Sequence, residues 1–595
     1  MAQLVNAGCA ALSYYTGMLF RPSVAILIAS SVLIAGCRAP SSGYAASHRS
    51  ASHGNALNQA ANNDPNSAAL SSYEFQSDAD MQSAIDAHAH YAAGVVHELN
   101  LEPESALEDY YNAALLDPTN YNLVIDIAQQ FLQAKEPDKA LELLRNSSTN
   151  SNGSSALYAQ LGFVYSKMGK TNEAVAAGQM AIRKDPRSLA GYQSLFLEYL
   201  QNNQTAPVWD LLNQAAKVKG PDAEFLVGVG EMYVELRRHV TPEMGTNAQT
   251  RAIAILERAA KLKPAELRVK LRLADGFELL GKTDDAQRFY EEIVKDLPDT
   301  SPQFDRVHAA LAGIYLQKHD SRRAAEQLQA IVRDNPTDSQ TYYTLGLLTY
   351  QETNYTKAVE YFSNSILFNP DYELAYLNLA RAQVSANQPQ SALQTMERAR
   401  RRFGQSFSLE YLSGIIYSAQ KDYTNALQHF NTAEVLGKNG DTNQLSDEFY
   451  FHLAAACERT GDYADAEKYF QTSLQLAPDS PETLNYLGYM WAEHGTKLDQ
   501  ARDYIAKALK QDPRNAAYLD SMAWVLYQLH QPKPALDYAL KALQNSEEED
   551  ATLYDHIGDI YNALGQKDKA RQAWNKSVSL EANDTVRKKI ESSAK

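Results

Sequence analysis

Cysteine is nearly absent. The 595 residues carry three, at positions 9, 37 and 457. Only Cys457 lies beyond the N-terminal region, so the body of the chain can close no internal disulfide and holds no paired-cysteine metal motif. Tryptophan is almost as scarce, at four residues. Positive charge is outweighed: 55 Lys and Arg face 72 Asp and Glu, for a formal net charge of −17. That balance excludes the basic stripe a nucleic-acid groove requires. It fits simple solubility, with some bias toward basic partner segments. No Gly-rich phosphate loop, His-Glu-x-x-His motif or nucleophile elbow occurs. His88, His90 and His97 form the densest histidine group. A spacing of two on a helix turns the first pair onto different faces, so no metal and no other cofactor is expected. Runs of β-branched residues are missing from the body of the chain, as a helical protein requires.

What is present is a period. Ala106, Ala140 and Ala174 follow one another at 34 residues, as do Ala324, Ala358, Ala392 and Ala426. Val208, Ala252 and Ala286 bridge the two runs, and Ala466, Ala501, Ala535 and Ala570 continue them with small slips. Twelve residues before the alanine comes a Gly or Ala, as at Gly94, Gly162, Gly346, Gly414 and Gly558. Twelve residues after it a proline recurs, as at Pro118, Pro186, Pro298, Pro336 and Pro370. A small pair at this spacing marks the close approach of two antiparallel helices, with large apolar residues filling the grooves beside it. The proline ends the second helix, because it lacks an N–H and clashes with the preceding turn. Each unit is therefore a helix–turn–helix that buries its apolar face only by stacking on its neighbours.

The unit Tyr158-x-x-Leu161-Gly162-x-x-Tyr165 with Ala174, Ala181 and Pro186 resembles the tetratricopeptide repeat family, and so does Tyr342-x-x-Leu345-Gly346 with Ala358, Phe362 and Pro370. Departures include Gly178 in place of a large residue, and Thr349 and Cys457 in place of aromatics. About fourteen units fit between residues 87 and 584. The resemblance implies an all-α, right-handed solenoid over residues 81–595, ending in a capping helix. Outside the repeats, an insertion is expected near Arg237–Gly245 and loops near Thr300 and Gly437–Gln444. None of them has room for a catalytic domain, so no enzyme is expected.

The N-terminus carries a second signal. An apolar stretch runs from Leu19 to Ala35 with Arg21 near its start, and closes in Leu33-Ile34-Ala35-Gly36-Cys37. A charged start, a short apolar region and small residues before a cut describe a secretory signal. The cysteine directly after them resembles the lipobox of bacterial lipoproteins, whose cysteine takes a diacylglycerol before cleavage on its N-terminal side. Residues 1–36 are then the signal, with Met18 the expected initiator. Residues 37–80, rich in Ser, Ala, Asn and Gly, form a tether too polar to order itself, with a relaxed reach of roughly 35 Å. Several acyl chains hold a protein on a membrane stably. Arg38, rather than aspartate, follows the cysteine, which by resemblance favours the outer membrane facing the periplasm.

In the family, positions 2, 5, 9 and 12 of each first helix line the concave side. Here they supply Tyr343, Leu347 and Tyr350, then Leu377 and Arg381, Tyr411 and Ile415, and Phe451. Asn485, Tyr489, Trp524 and Tyr527 follow, with Asp555 and Asp559 at the far end offering negative charge to a basic segment. An aromatic face of this kind suits an extended peptide or a helix, although several of these rings could instead pack between units. The family's carboxylate clamp is not matched, since only Asn378 and Arg381 hint at it. The expectation is a lipid-anchored scaffold that binds envelope proteins, with no nucleic-acid partner and no small-molecule substrate. The alternatives are a regulator of a partner envelope enzyme, or an unanchored cytosolic co-chaperone. Replacing the acceptor thiol tests the anchor: Cys37→Ser is expected to abolish metabolic lipid labelling and move the protein out of the membrane fraction, and labelling that persists would refute it.

Overall fold

The computed structural model describes residues 78–150 and 153–593, so the signal, Cys37 and nearly all of the tether lie outside the described residues. Each junction within the period has its own chemistry. Many helices open on a side-chain cap: the Ser154 hydroxyl accepts from the Leu157 N–H at 3.2 Å, and the Asp222 carboxylate from the Phe225 N–H at 2.7 Å, which satisfies donors the helix leaves unpaired. The turn between units pairs a cap with an Asx turn. Asp185 accepts from the Arg187 N–H at 2.9 Å across Pro186, and Ser188 then caps the next helix. Asp512, Pro513 and Asn515 repeat the device. Inside a unit the turn needs one left-handed residue. Gly169 and Gly565 supply it at φ of 72° and 74°, but Lys135, Thr353, Asn387 and Lys421 adopt it as well, at 63°, 59°, 59° and 62°. The next N–H then reaches back over the helix end, as from Lys170 to the Tyr165 carbonyl at 2.9 Å, closing a Schellman-type cap.

Contacts divide the chain into two compact units, Met1–Ala330 and Ile331–Lys595. In the first, α1 (Asp78–Leu99) pairs with α2 (Pro103–Leu116), α3 (Tyr121–Gln133) with α4 (Pro137–Asn150), and α5 (Ser155–Lys167) with α6 (Thr171–Lys184). Then come α7 (Leu189–Gln201) with α8 (Thr205–Ala216), α9 (Ala223–Leu236) with α10 (Pro242–Lys261), and α11 (Leu267–Leu279) with α12 (Thr283–Asp296). The division falls within the next pair, α13 (Phe304–Gln317) and α14 (Ser321–Asp334). The second unit stacks α15 (Ser339–Gln351) and α16 (Tyr355–Phe368), α17 (Glu373–Ser385) and α18 (Pro389–Phe403), and α19 (Phe407–Ala419) and α20 (Tyr423–Asn439). It continues with α21 (Asp447–Thr460) and α22 (Tyr463–Leu476), then α23 (Pro481–Glu493) and α24 (Leu498–Gln511). Last come α25 (Ala516–Gln528) and α26 (Pro532–Asn545), α27 (Ala551–Ala563) and α28 (Lys567–Leu580), and the single helix α29 (Asp584–Ser593). Among the described residues there is no strand. The fold is the all-α repeat array that the period predicts.

The small pair packs as a lock of two parts. Ala140, Ala358, Ala426 and Ala466 are fully buried. The side chain that excludes anything larger at the glycine, however, sits one turn beyond the alanine. A Cβ on Gly346 would lie 2.6 Å from the Phe362 ring, and one on Gly414 2.5 Å from Phe430. The glycine thus makes room for a fully buried aromatic. At Gly178, where the repeat lacks its large residue, Leu195 of the next unit fills the gap, 2.6 Å from where a Cβ would stand. Thr349, another departure, satisfies its hydroxyl on the Leu345 and Gly346 carbonyls at 2.8 and 3.1 Å.

The expected insertion and the last of the expected loops are both partly helical. After a short 3₁₀ turn at Arg237–His239, the chain enters a 20-residue helix that includes Gly245. Helix α20 runs 17 residues through the buried Gly437, whose position packs against Leu445 and Phe407.

Two glycines separate the packing role from the propensity role. Gly414→Ala should destabilise by roughly 1–3 kcal/mol through overpacking. A Cβ on Gly313, also within a helix, meets nothing within 4 Å, so Gly313→Ala should stabilise by about 0.5–1 kcal/mol. Urea midpoints of the two variants that shift in the same direction would contradict this division.

Candidate peptide-binding face

Helical spacing places every proposed binding residue on a first helix of the second unit, but the structure uses them differently. Tyr343 is buried at 7% exposure. Its ring packs on Tyr372 and Phe362 with centroids 4.7 and 5.7 Å away, and its hydroxyl accepts from the Asn378 amide at 2.9 Å. Tyr343 is therefore a packing residue rather than a lining one. Leu377, also 7% exposed, joins the same core. Tyr350 stays half-buried, with its hydroxyl 3.1 Å from that of Ser385 in the next unit. Arg381 is exposed and makes no hydrogen bond or ion pair among the described residues.

Tyr411 sits among Phe407, Phe430 and Phe449 at centroid distances of 5.5–6.0 Å, and its hydroxyl finds no partner. Burial, then the Glu448 carboxylate, push its phenol well above the ordinary value, while Arg381 opposes the rise. Glu448 itself is held below the usual carboxylate range, first by His452 3.9 Å away and further by Arg381, with burial opposing. Arg381, Glu448 and His452 thus lie near the Tyr411 side chain, with the His452 ring 6.0 Å from the Tyr411 ring. Phe451 points into the next junction, edge-on to Tyr486 at 5.6 Å and tilted on Phe470 at 5.8 Å.

Toward the C-terminal end the residues converge. Trp524 stacks between His556 at 4.1 Å and Tyr527 at 5.1 Å, with Tyr489 6.3 Å from the same imidazole. The Trp524 indole N–H and the Asn485 amide oxygen are both buried without partners. His556, which the sequence reading passed over, is the centre of this group. It is 4% exposed, and its Nδ1 lies 3.0 Å from both oxygens of Asp520, so Nδ1 carries the proton and donates. Asp520 stands four residues before Trp524 on the same stripe and was legible from that spacing. His556 occupies a position adjacent to the stripe, where periodicity alone predicts packing.

The acidic pair at the end is not open to a basic segment. Asp555 and Asp559 both accept from the Lys589 ammonium of α29, at 2.8 and 2.7 Å, and Asp559 also accepts from the Trp574 indole at 3.1 Å. The basic segment expected there is the chain's own last helix. Burial alone would lower the Lys589 ammonium, but its bonds to Asp555 and Asp559 outweigh that and raise it.

The remaining chemistry is structural. The Cys457 thiol is 2% exposed, and burial pushes it up to about 12, out of reach of thiolate chemistry at neutral pH. His90 lies 2.9 Å from Asp109, and His97 lies 2.5 Å from Glu102. Among the described residues no group of three His, Cys, Asp or Glu could hold a metal, and no helix is long and apolar enough to cross a membrane. A cavity of about 530 Å³ opens beside α18 and is lined in part by Arg398, Arg400, Arg401, Tyr417 and His429. Its Arg400 and His429 are committed to Glu410, which is 2% exposed, at 2.9 and 2.6 Å. That network ties α18, α19 and α20 together.

Tetratricopeptide repeat models match residues 268–300, 310–366, 350–410, 405–479, 456–516 and 551–584. A TPR repeat-containing protein of Pseudomonas aeruginosa is 34% identical over 102 residues, 17% of each chain. A protein O-mannosyl-transferase of Homo sapiens is 24% identical over 181 residues, 30% of this chain and 19% of that one. The chain thus spans less than a fifth of the length of these two relatives. The solved Cut9–Hcn1 hetero-tetramer of the APC/C has a TM-score of 0.37 at 14% identity, covering 86% of this chain and 96% of that one.

The buried imidazole predicts a pH dependence. Burial by itself would lower the His556 pKa; the Asp520 carboxylate, with Asp555 and Asp559 behind it, outweighs burial and raises it. A raised folded-state value contributes stability that is complete below the ordinary value of about 6.5 and is lost as pH rises through the folded-state value. Of the four tryptophans, Trp491, Trp524 and Trp574 report on this region. Their fluorescence in urea titrations should show the stability gap between wild type and His556→Asn widest below pH 6.5 and narrowing above it. A gap independent of pH would mean that the imidazole is neutral.

Proposed function

We propose that the chain, which matches tetratricopeptide repeat models over residues 268–300, 310–516 and 551–584, is a lipid-anchored scaffold of a bacterial cell envelope, binding partner proteins along the first-helix face of its second unit. The repeats make it a protein-interaction scaffold. The anchor, the envelope setting and the face are our reading. One observation carries the choice of face: Tyr350, Arg381, Tyr489, Trp524 and Tyr527 stay partly or fully exposed on the first helices α15, α17, α23 and α25, although the array has large buried positions available for rings. Aromatic rings with a few polar neighbours contribute large contact area at low conformational cost and are enriched where proteins bind. Such a surface accepts an extended segment or one face of a helix. The sequence Leu33-Ile34-Ala35-Gly36-Cys37 supports the anchor, and Arg38 after it supports the outer membrane facing the periplasm. We assign the chain no catalytic activity of its own. Its effect is to hold partners near one another and near the membrane.

The test is in-cell crosslinking and recovery of tagged protein, comparing wild type with Arg381→Ala, Tyr489→Ala, Tyr527→Ala combined in one chain. Tyr411 and Tyr343 are left intact because their truncation would open cavities in packed aromatic clusters. Envelope proteins recovered with wild type and lost from a variant of matched abundance and melting would support the face. Unchanged recovery would move binding to another surface, and no specific partner with either protein would sink the scaffold itself.

A further inference from the structure

The arginines near the end of α18 are not all accounted for by the fold. Arg398, Arg400, Arg401 and Arg402 fall within five residues of a chain whose formal net charge is −17. Cations in the last turn of a helix complement its dipole, but these four side chains go separate ways. Arg402 turns to Asp371, just before α17, at 2.7 Å. Arg400 turns inward: its Nε donates to the buried Glu410 at 2.9 Å, and its terminal nitrogens to Glu397 and Ser413 at 2.7 and 3.2 Å. Arg398 and Arg401 instead border the cavity of about 530 Å³ beside α18, with donors to spare. The Arg398 side chain makes no hydrogen bond or ion pair among the described residues, and its guanidinium lies over the Tyr376 ring, 5.8 Å from the centroid. Arg401 uses only its Nε, on Glu397 at 3.0 Å.

The rest of the wall suits an organic group. Tyr417 and His429 stack at 5.2 Å with their planes 11° apart, and Glu410 fixes the imidazole from behind at 2.6 Å. Leu393 and Met396 add apolar surface. Three guanidiniums and an imidazole thus face two carboxylates, Glu397 and Glu410, both already bonded to Arg400. The cavity holds a surplus of positive charge and of N–H donors.

We propose that this cavity binds an organic phosphate monoester, with the phosphate on Arg398 and Arg401 and the organic part against the Tyr417–His429 stack, Leu393 and Met396. Arg398 and Arg401 stand three residues apart on α18 and are neighbours on its surface, so one group can span both. Each guanidinium meets a phosphate through paired N–H donors. Two of them match the charge of nearly −2 and the three oxygens of a monoester, whereas the two oxygens of a carboxylate would occupy only one. A cavity of this size takes an organic ligand rather than a bare ion. It shares no residue with the binding face proposed above and does not depend on it.

The test is isothermal titration calorimetry of the purified full chain with phenyl phosphate at about pH 8, where the monoester is a dianion, and with benzoate as its carboxylate counterpart. One equivalent of phenyl phosphate should bind with a dissociation constant of about 10–100 µM, and benzoate at least about tenfold more weakly. Arg398→Gln and Arg401→Gln should each weaken phenyl phosphate by about tenfold or more, with the circular dichroism melt unchanged. Arg402→Gln removes the same charge outside the cavity and should leave binding within about twofold. Flotation with vesicles of phosphatidylcholine and phosphatidic acid separates two sources of the phosphate. Vesicle binding that Arg398→Gln and Arg401→Gln abolish assigns it to a lipid head group, and phenyl phosphate binding without vesicle binding assigns it to a soluble molecule. No saturable binding of either probe would overturn the proposal. Benzoate binding as tightly as phenyl phosphate would overturn it too, as would equal weakening by Arg402→Gln, which would reduce the effect to diffuse charge.

Discussion

Everything in this molecule depends on how near two antiparallel helices can come. Gly346 and Gly414 permit an approach at which a single methyl group would strike the Phe362 or Phe430 ring. The alanine one turn earlier on the second helix is buried without remainder. Close packing of this kind has no slack, because protein interiors are as dense as organic crystals. Once that spacing is set, the large residues beside it have a defined volume to fill. A unit that lacks one must borrow from its neighbour, as Gly178 does from Leu195. The same rigidity lets the turns carry unusual backbone. Lys135, Thr353 and Lys421 take left-handed angles where glycine would be easier, since the helices on either side over-determine the turn.

The first-helix face inherits its character from this packing. A ring on that face can go inward against the next unit or remain at the surface, and the neighbouring side chains decide which. Tyr343 turns inward because Tyr372 and Phe362 offer it a surface and Asn378 a hydrogen bond. Tyr527 and Trp524 remain partly open because a buried charged pair, His556 on Asp520, occupies the layer beneath them. A buried ion pair adds little net stability against a well-packed apolar alternative. Here it holds an imidazole flat beneath an indole.

The ends of the array contrast. Each repeat borrows part of its core from its neighbours, so the first and last are short of a partner. At the C-terminus α29 packs on the last pair, and its Lys589 donates to Asp555 and Asp559. At the N-terminus α1 presents its apolar side outward instead.

The sequence by itself determined the period, the helix pair, the number of units and the proline and cap chemistry that separates them. These follow from spacing, from the missing proline N–H and from the space around Cα, all properties of one residue and its near neighbours in the chain. Only the tertiary structure decided which member of the Gly–Ala–Phe set the glycine makes room for, and whether a stretch such as Arg237–Gly245 coils or stays helical. It alone decided that Tyr343 packs while Tyr489 stays partly open, and that Lys589 reaches Asp555 and Asp559 across some thirty residues. Those outcomes depend on side chains far apart in sequence competing for one volume or one charge, and a period of 34 residues specifies where such side chains meet without specifying which of them wins.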